Sequence, residues 1–400
     1  MLITPSSYKI EWMIYILGRQ PAIGLAELES LYGSDALEPI GTYAVKVNTN
    51  EPVDFARIGG AMKAAEEFVT LQTTDITEIK KHLSEKISKY SHSLPEGKLK
   101  LGISCYGLKT NPAKITALGL SIKKAVKTQN RSVRLIPNNE NTLNSAQILH
   151  NKLISELGLE LLLIRDSVNT IIARTTAVQD IDSYTLRDRG RPKRDARVGM
   201  LPPKLAQTII NIAENDPQNT AKRVLDPFCG TGVILQEAAL MGYQVYGTDL
   251  EERMIRYSRD NLNWLADTHK ITFDWYLHQG DATDTTWQQP VDVVACEGYL
   301  GRPFTSVPDR EILQATIHDC DVILKKFLRN LHSQIKPGTR MCLAIPAWFA
   351  SDRVHHLKTL DRLSDLGYNR ISFVHSSEKD LIYHREDQIV GRELLVLTRK

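Results

Sequence analysis

The chain is poor in cysteine, nearly neutral and without long apolar runs. Its five cysteines are scattered over 400 residues and form no C-x-x-C pair, which argues against a disulfide framework and a structural zinc site. We therefore expect no bound metal and a reducing compartment, the cytoplasm. No apolar run is long enough to span a bilayer, and residues 1–15 lack the layout of a signal peptide, so we expect no membrane association.

A glycine-rich segment in the second half indicates a cofactor site. An apolar strand ends at Asp226, a Pro-Phe-Cys-Gly-Thr-Gly turn follows, and a helix begins directly after it. A second strand ends at Asp249, and Asp281 comes further on. This order predicts the first βαβ unit of a parallel sheet, whose carboxyl edge binds the ligand. Gly230 and Gly232 allow the backbone to approach that ligand closely.

The spacing favours S-adenosylmethionine (SAM) over a dinucleotide. A dinucleotide loop needs G-x-G-x-x-G, whereas this loop has D-x-x-x-G-x-G with no third glycine in register. SAM has no phosphate and carries a sulfonium and an ammonium group, which suit the carboxylate of Asp226. The side chain of Asp249 suits two hydrogen bonds from ribose hydroxyls, and that of Asp281 suits the amino group of adenine.

The segment Asp226–Gly232 resembles the first motif of class I SAM-dependent methyltransferases. It is similar to that of RNA methyltransferases with a THUMP domain, a small RNA-binding module, and in particular to the Trm11-like enzymes, which methylate the N2 amine of a guanosine in tRNA. The resemblance implies a Rossmann-like α/β domain whose seven-stranded sheet has one antiparallel strand. It implies RNA, specifically tRNA, as substrate, and it assigns SAM binding to Asp226, Phe228, Gly230, Gly232, Asp249 and Asp281.

The first half of the chain predicts smaller α+β regions. Residues 1–74 resemble the ferredoxin-like N-terminal region of the Trm11-like enzymes, and residues 75–180 have the element order of a THUMP-like RNA-binding domain. A basic linker is expected over 181–204 and the methyltransferase domain over 205–400. The net charge of +3 does not indicate nucleic acid, so RNA contacts require local basic groups. In the THUMP-like region these are Lys109, Lys114, Lys123, Lys124, Lys127, Arg131 and Arg134.

The linker is dense in arginine, and glycine and proline interrupt regular structure within it. Its basic side chains suit RNA phosphates, which they would hold without reading bases. The alternative is a solvated hinge. The candidate RNA-binding residues are Arg187, Arg189, Arg191, Lys193 and Arg194. At the end of the linker, Lys204-Leu205-Ala206 resembles the family's M-x-x-K-L-A segment, and the two preceding prolines suit a helix start.

The loop that presents the target atom should follow the fourth strand of the parallel sheet. In enzymes that methylate exocyclic amines this loop has the pattern D/N-P-P-Y, whereas this chain has Cys296-Glu297-Gly298-Tyr299. Either Glu297 replaces the acidic residue and Tyr299 is shifted, or Tyr299 aligns with the motif tyrosine and Cys296 occupies the acidic position. In both alignments Glu297 binds the amine or takes its proton, and Tyr299 stacks on an unstacked base.

The altered loop leaves other functions open. One is a SAM- and RNA-binding protein without catalysis that acts in folding or assembly. Another is methylation of a different RNA base, for which Cys229 and Cys296 are candidate nucleophiles toward a pyrimidine. DNA or protein as the substrate is disfavoured by the THUMP-like region.

Overall fold

The computed structural model describes residues 12–195, 200–214, 216, 218–304, 306–350 and 353–400, and the chain forms two compact units. The first unit comprises the described residues up to Pro21 together with 35–56 and 61–181, and the second comprises 22–34, 57–60 and 182–400. Helix α1 (Pro21–Tyr32) therefore lies almost entirely in the second unit, although the strands on either side of it belong to the first.

An eight-stranded mixed sheet forms the first unit, in the order β2-β3-β1-β4-β8-β7-β5-β6. Neighbouring strands are antiparallel from β2 to β7, and β5 runs parallel to both β7 and β6. The strands are β1 (Trp12–Leu17), β2 (Leu37–Ile40), β3 (Ala44–Asn48), β4 (Ala61–Leu71), β5 (Leu99–Tyr106), β6 (Val133–Leu135), β7 (Gly158–Asp166) and β8 (Asn169–Val178).

Two amphipathic helices pack on this sheet. They are α2 (Ile76–Tyr90) and α3 (Pro112–Lys127), and the shorter α4 (Ser145–His150) precedes β7. Asp75 begins α2 because its carboxylate accepts hydrogen bonds from two backbone N–H groups of the first turn. The apolar residues of α2 recur every four positions, at Ile79, Leu83 and Ile87, so one face of the helix is buried against the sheet.

The second unit contains a nine-stranded sheet with the main order β11-β10-β9-β12-β13-β17-β15. Strands β9 to β13 are parallel, whereas β17 lies antiparallel to both β13 and β15. The strands are β9 (Arg223–Asp226), β10 (Gln244–Asp249), β11 (Trp275–Gln279), β12 (Val293–Glu297), β13 (Arg340–Ala350), β14 (Arg353–His355), β15 (Tyr368–Arg370), β16 (Ile382–Tyr383) and β17 (Val390–Arg399). The expected class I fold, with one antiparallel strand in a seven-stranded path, is confirmed.

Helices cover both faces of this sheet, which produces two apolar cores. One core contains side chains of α6, α7 and α8, and the other contains side chains of α9. The helices are α5 (Ile181–Thr185), α6 (Pro203–Ala213), α7 (Val233–Leu240), α8 (Glu252–His269) and α9 (Arg310–His332). Helix α6 begins at Pro203, as the proline pair predicts.

The sheet of the first unit crosses the boundary expected between residues 74 and 75. Strand β4, which precedes that boundary, pairs with β1 on one side and with β8 on the other. The division into an N-terminal region 1–74 and a THUMP-like domain 75–180 therefore remains a prediction. Of the residues described, none belongs to a helix that is both long and apolar enough to cross a bilayer.

Candidate active site

The glycine loop after β9 has backbone angles that favour glycine. Gly230 has φ +50° and Gly232 has φ +81°, both in the left-handed region. A Cβ atom on Gly232 would lie 2.8 Å from Oγ of Ser258 on α8, so the loop also packs too closely for a side chain. The loop is fixed to the next strand because the N–H of Cys229 donates to the carbonyl of Thr248 (2.9 Å).

Asp249 ends β10 and binds the glycine loop directly. Its Oδ2 accepts a hydrogen bond from the N–H of Gly230 (2.9 Å), and its Oδ1 accepts one from the N–H of Glu251 (2.9 Å). Burial raises the pKa of this carboxyl. Each carboxylate oxygen retains a second lone pair, so both can still accept ligand hydroxyls. Asp281 follows β11, where its Oδ1 accepts from the N–H of Thr283 (2.9 Å).

Asp226 is a buried carboxylate that has no cationic partner among the described residues. It is 2% exposed, and its Oδ1 accepts a hydrogen bond from the N–H of Phe228 (3.1 Å). Burial raises the pKa of this carboxyl well above its usual range, and the carboxylates of Asp249 and Glu297 raise it further. A cationic ligand would reverse this unfavourable balance, since an opposite charge stabilises the ionised form. The position therefore fits a sulfonium or an ammonium group.

Glu297 is the last residue of β12, and it forms an ion pair with Arg392 of β17. The Nε–H of Arg392 donates to Oε1 of Glu297, and the two side chains are 8% and 17% exposed. Burial raises the pKa of Glu297, and Arg392 opposes that shift. The sequence motifs do not identify Arg392 as a site residue. The apolar run that follows, Leu394–Leu397, indicates a buried strand whose start includes this arginine.

Tyr299 lies in the loop after β12 and is 47% exposed. Its ring borders a small apolar cavity between the sheet and α9, together with Phe228 and Leu357. Phe228 is anchored there by an edge-to-face contact with Phe327 of α9, with ring centroids 5.1 Å apart. An exposed aromatic side chain at the border of an apolar cavity offers a ring on which a base can stack.

The two candidate nucleophiles are unsuited to that role. The thiols of Cys229 and Cys296 are buried, and burial raises the pKa of each well above its usual range. A nucleophilic cysteine requires an accessible thiolate, which both surroundings oppose.

The arginines of the linker divide into buried and exposed groups. Arg187 is buried, where its Nε–H donates to Oε1 of Glu237 on α7 (2.7 Å), and Arg191 is buried beside the sulfur of Met200 (3.4 Å). The first half of the linker is also helical, since α5 continues into a π-helical turn over Leu186–Gly190. These two arginines hold the linker against the domain and are not available to RNA.

The other basic residues of the linker face solvent at least partly. Arg189 and Arg194 are exposed, and Lys193 is half-buried beside Asp260, with 3.6 Å between Nζ and Oδ2. The phosphate contacts predicted for this segment therefore depend on these three side chains. In the first unit, Arg131 has a structural partner, since its guanidinium donates to the carbonyls of Ser91 and Leu94.

The geometry brings most of the predicted site residues to one edge of the sheet. Asp226, Asp249 and Glu297 end β9, β10 and β12, which are parallel, and Asp281 follows β11. The edge therefore presents a glycine loop with a buried carboxylate, a second carboxylate for hydroxyl groups, and an acidic loop with an exposed aromatic ring.

Comparison with known proteins agrees with this architecture. Residues 218–384 match the family described as "Methyltransferase domain", and residues 174–260 match the family described as "DNA methylase". The chain is 31% identical over 148 residues to the tRNA (guanine(10)-N2)-dimethyltransferase of Methanothermobacter thermautotrophicus, and 29% identical over 152 residues to that of Pyrococcus abyssi. These matches cover 37% of this chain and 39–40% of the relatives.

Solved structures show the same fold over almost the whole length. TrmN from Thermus thermophilus matches with a TM-score of 0.52 at 15% identity, over 97% of this chain and 99% of that chain. A possible methylase from Clostridium difficile 630 matches with a TM-score of 0.52 at 13% identity, over 98% of each chain. Residues 218–384 thus form a methyltransferase domain, built on the class I fold.

Proposed function

We propose that this protein is a SAM-dependent methyltransferase that modifies the N2 amine of a guanosine in tRNA. The assignment of SAM as cofactor rests on Asp226. This carboxylate is buried beside a tightly packed glycine loop, and it has no cationic partner in the described part of the chain. The substrate is supported by the relatives named above, which match over about two fifths of their length. A cytoplasmic location and reduced cysteines are part of the same proposal.

The residues at the sheet edge fit SAM in charge and space. Asp226 would face the cationic end of SAM, Gly230 and Gly232 would admit it close to the backbone, and Asp249 would accept hydrogen bonds from its ribose hydroxyls. Asp281 would accept a hydrogen bond from the adenine amine, and Phe228 borders the site. When bound, SAM supplies a methyl group on a sulfonium, which is the electrophile that an amine requires.

The loop after β12 handles the base. Tyr299 stacks on a guanine that has left the helical stack, and the carboxylate of Glu297 accepts a hydrogen bond from the N2 amine. SAM would supply the methyl group, and Glu297 would take the proton that the amine loses on methylation. Arg392 fixes one oxygen of Glu297, which leaves the other oxygen for the amine. By holding the base and its amine, Tyr299 and Glu297 would position the nitrogen for transfer, which supplies much of the rate in such reactions.

RNA contacts are assigned to parts of the chain outside the methyl-transfer centre. Arg189, Lys193 and Arg194 of the linker bind phosphates, and the region 75–180 binds the RNA body as a THUMP-like domain. These assignments extend the resemblance and the charge pattern.

Two alternatives have specific support. The ion pair between Glu297 and Arg392 and the absence of a Pro-Pro sequence in the loop favour a SAM- and RNA-binding protein without catalysis. The match of residues 174–260 to a DNA methylase family favours methylation of another base or of DNA.

Mass spectrometry of nucleosides separates these functions. The purified chain is incubated with SAM and with unmodified tRNA or duplex DNA, and each nucleic acid is digested. The proposal predicts new N2-methylguanosine from tRNA only, and loss of it in Glu297→Gln. A different methylated nucleoside would replace the proposed substrate. Unchanged nucleic acid, with SAM binding measured by calorimetry, would favour the non-catalytic alternative.

A further inference from the structure

A basic groove lies beside the loop that carries Tyr299. It has a volume of about 250 Å³ and is open to solvent. Its walls are β14 with the residues that follow it, and the N-terminal half of α9. The lining residues are Gln314, Ile317, Arg353, Val354, His355, His356 and Lys358, and no acidic side chain occurs among them.

Two cations of the groove are available to a ligand. Arg353 and Lys358 are exposed, and neither forms an ion pair with any described carboxylate. The Nε–H of Arg353 donates to Nε2 of His355 (3.3 Å), which orients the guanidinium. His356 is already engaged, since its Nδ1 lies 2.6 Å from Oε2 of Glu393 on β17. The positive potential of the groove therefore comes from one arginine and one lysine.

The groove adjoins the base-handling loop. Leu357 lines the apolar cavity next to Tyr299, while its neighbours His356 and Lys358 line the groove. On α9, Ile317 lines the groove and Cys320, one turn later, lines the cavity. Cavity and groove thus share two elements, and both lie at the edge of the sheet where β12 and β13 end.

We propose that this groove binds the phosphates of the RNA strand that flanks the target nucleotide. The proposal rests on the proposed function and deepens it. A base that reaches Tyr299 rotates about its own backbone, so the adjacent phosphates pass the rim of the cavity. The groove provides two unpaired cations at that rim. An arginine held by a neighbour and a mobile lysine are typical phosphate ligands, and they position the strand without reading its sequence.

The test compares two double variants with equal charge loss. Arg353→Ala with Lys358→Ala empties the groove of free cations. Arg329→Ala with Lys326→Ala removes the same residue types from exposed positions in the C-terminal half of α9, at a distance from the groove. Affinity for an unmodified tRNA transcript is measured over a salt series, together with SAM affinity, melting temperature, and kcat and KM for methyl transfer.

We expect the groove variant to bind tRNA roughly tenfold more weakly at low salt and to lower the slope of log K against log salt by about 1.5, as for two lost phosphate contacts. Its KM for tRNA rises while kcat and SAM affinity remain as in the control. Arg353→Lys with Lys358→Arg restores the slope. Equal affinities and slopes in the two double variants would overturn the proposal.

The outcomes also distinguish this proposal from the proposed function. If the native chain binds tRNA without methylating it, the proposed function is wrong. The salt slope of the groove variant then still shows whether the groove binds phosphates. If the native chain binds no tRNA, both are overturned.

Discussion

The ion pair between Glu297 and Arg392 permits a test of whether Glu297 serves catalysis or only the fold. Arg392→Met keeps the aliphatic length of the side chain and removes its charge. Glu297 then remains in a largely buried position without a cation, since the two side chains are 8% and 17% exposed in the pair. Breaking a buried pair in this way costs about 3–5 kcal/mol. We expect about 3 kcal/mol, because Glu297 retains some contact with water.

The stability lost in Arg392→Met should depend on pH. Burial already raises the pKa of Glu297, and removal of the opposing arginine raises it further. A carboxyl whose pKa is higher in the folded chain than in the unfolded chain loses stability as the pH rises. Arg392→Met should therefore be less stable relative to the native chain at pH 8 than at pH 5, with urea unfolding as the assay.

The double variant Glu297→Gln with Arg392→Met separates structure from chemistry. It leaves no uncompensated charge, so we expect it to recover most of the stability lost in Arg392→Met, with a coupling energy of about 2 kcal/mol or more. Methyl transfer should nevertheless stay at least about 100-fold below the native rate, because the carboxylate is absent. Recovery of both stability and methyl transfer would refute a catalytic role for Glu297, and purely additive stability losses would refute the charge argument.

Other predictions concern the same site and Glu27, a buried carboxylate outside it. Asp226→Asn should weaken SAM binding, and in the native chain SAM affinity should fall as the pH falls through the raised pKa of Asp226; calorimetry across a pH series measures both. Gly232→Ala should abolish SAM binding and lower the melting temperature, because its Cβ would lie 2.8 Å from Oγ of Ser258 at a φ of +81°. Tyr299→Ala should raise KM for RNA more than Tyr299→Phe, which keeps the ring; equal effects would contradict stacking. Burial raises the pKa of Glu27 from 4.5 to about 7. The free energy of unfolding should therefore fall by up to about 3 kcal/mol as the pH rises from 4.5 to 7, and Glu27→Gln should remove this pH dependence in urea unfolding.

Local chemistry explains what could be predicted from the sequence. Gly230 and Gly232 mark backbone conformations that other residues avoid, and Pro203 marks the start of α6. The seven-stranded sheet with one antiparallel strand followed from resemblance to a family, and the structure confirms it. The roles of Asp226, Asp249 and Asp281 in SAM binding remain predictions, although the structure brings all three to one edge.

Long-range partners could not be predicted in the same way. Alternation along a strand shows which side chains share a face, but it does not show which distant strand lies next to them. Arg392 comes to Glu297 across 95 positions because β17 inserts antiparallel beside β13. Arg187 lies in a basic segment of the kind that binds RNA. In the structure it is buried instead, because it pairs with Glu237, which lies 50 positions away.

Local signals and long-range contacts also determine different features of α1 and of the whole described chain. The sequence determined the glycine turn, the helix starts and the acidic strand ends, because each depends on a few neighbouring residues. Only the tertiary structure decided that α1 joins the second unit, where Glu27 accepts hydrogen bonds from the N–H groups of Gly59 (2.9 Å) and Gly60 (2.6 Å) and from the amide of Asn211 (2.7 Å). A buried carboxylate requires donors wherever the fold supplies them, and in this protein they come from residues 32 to 184 positions away.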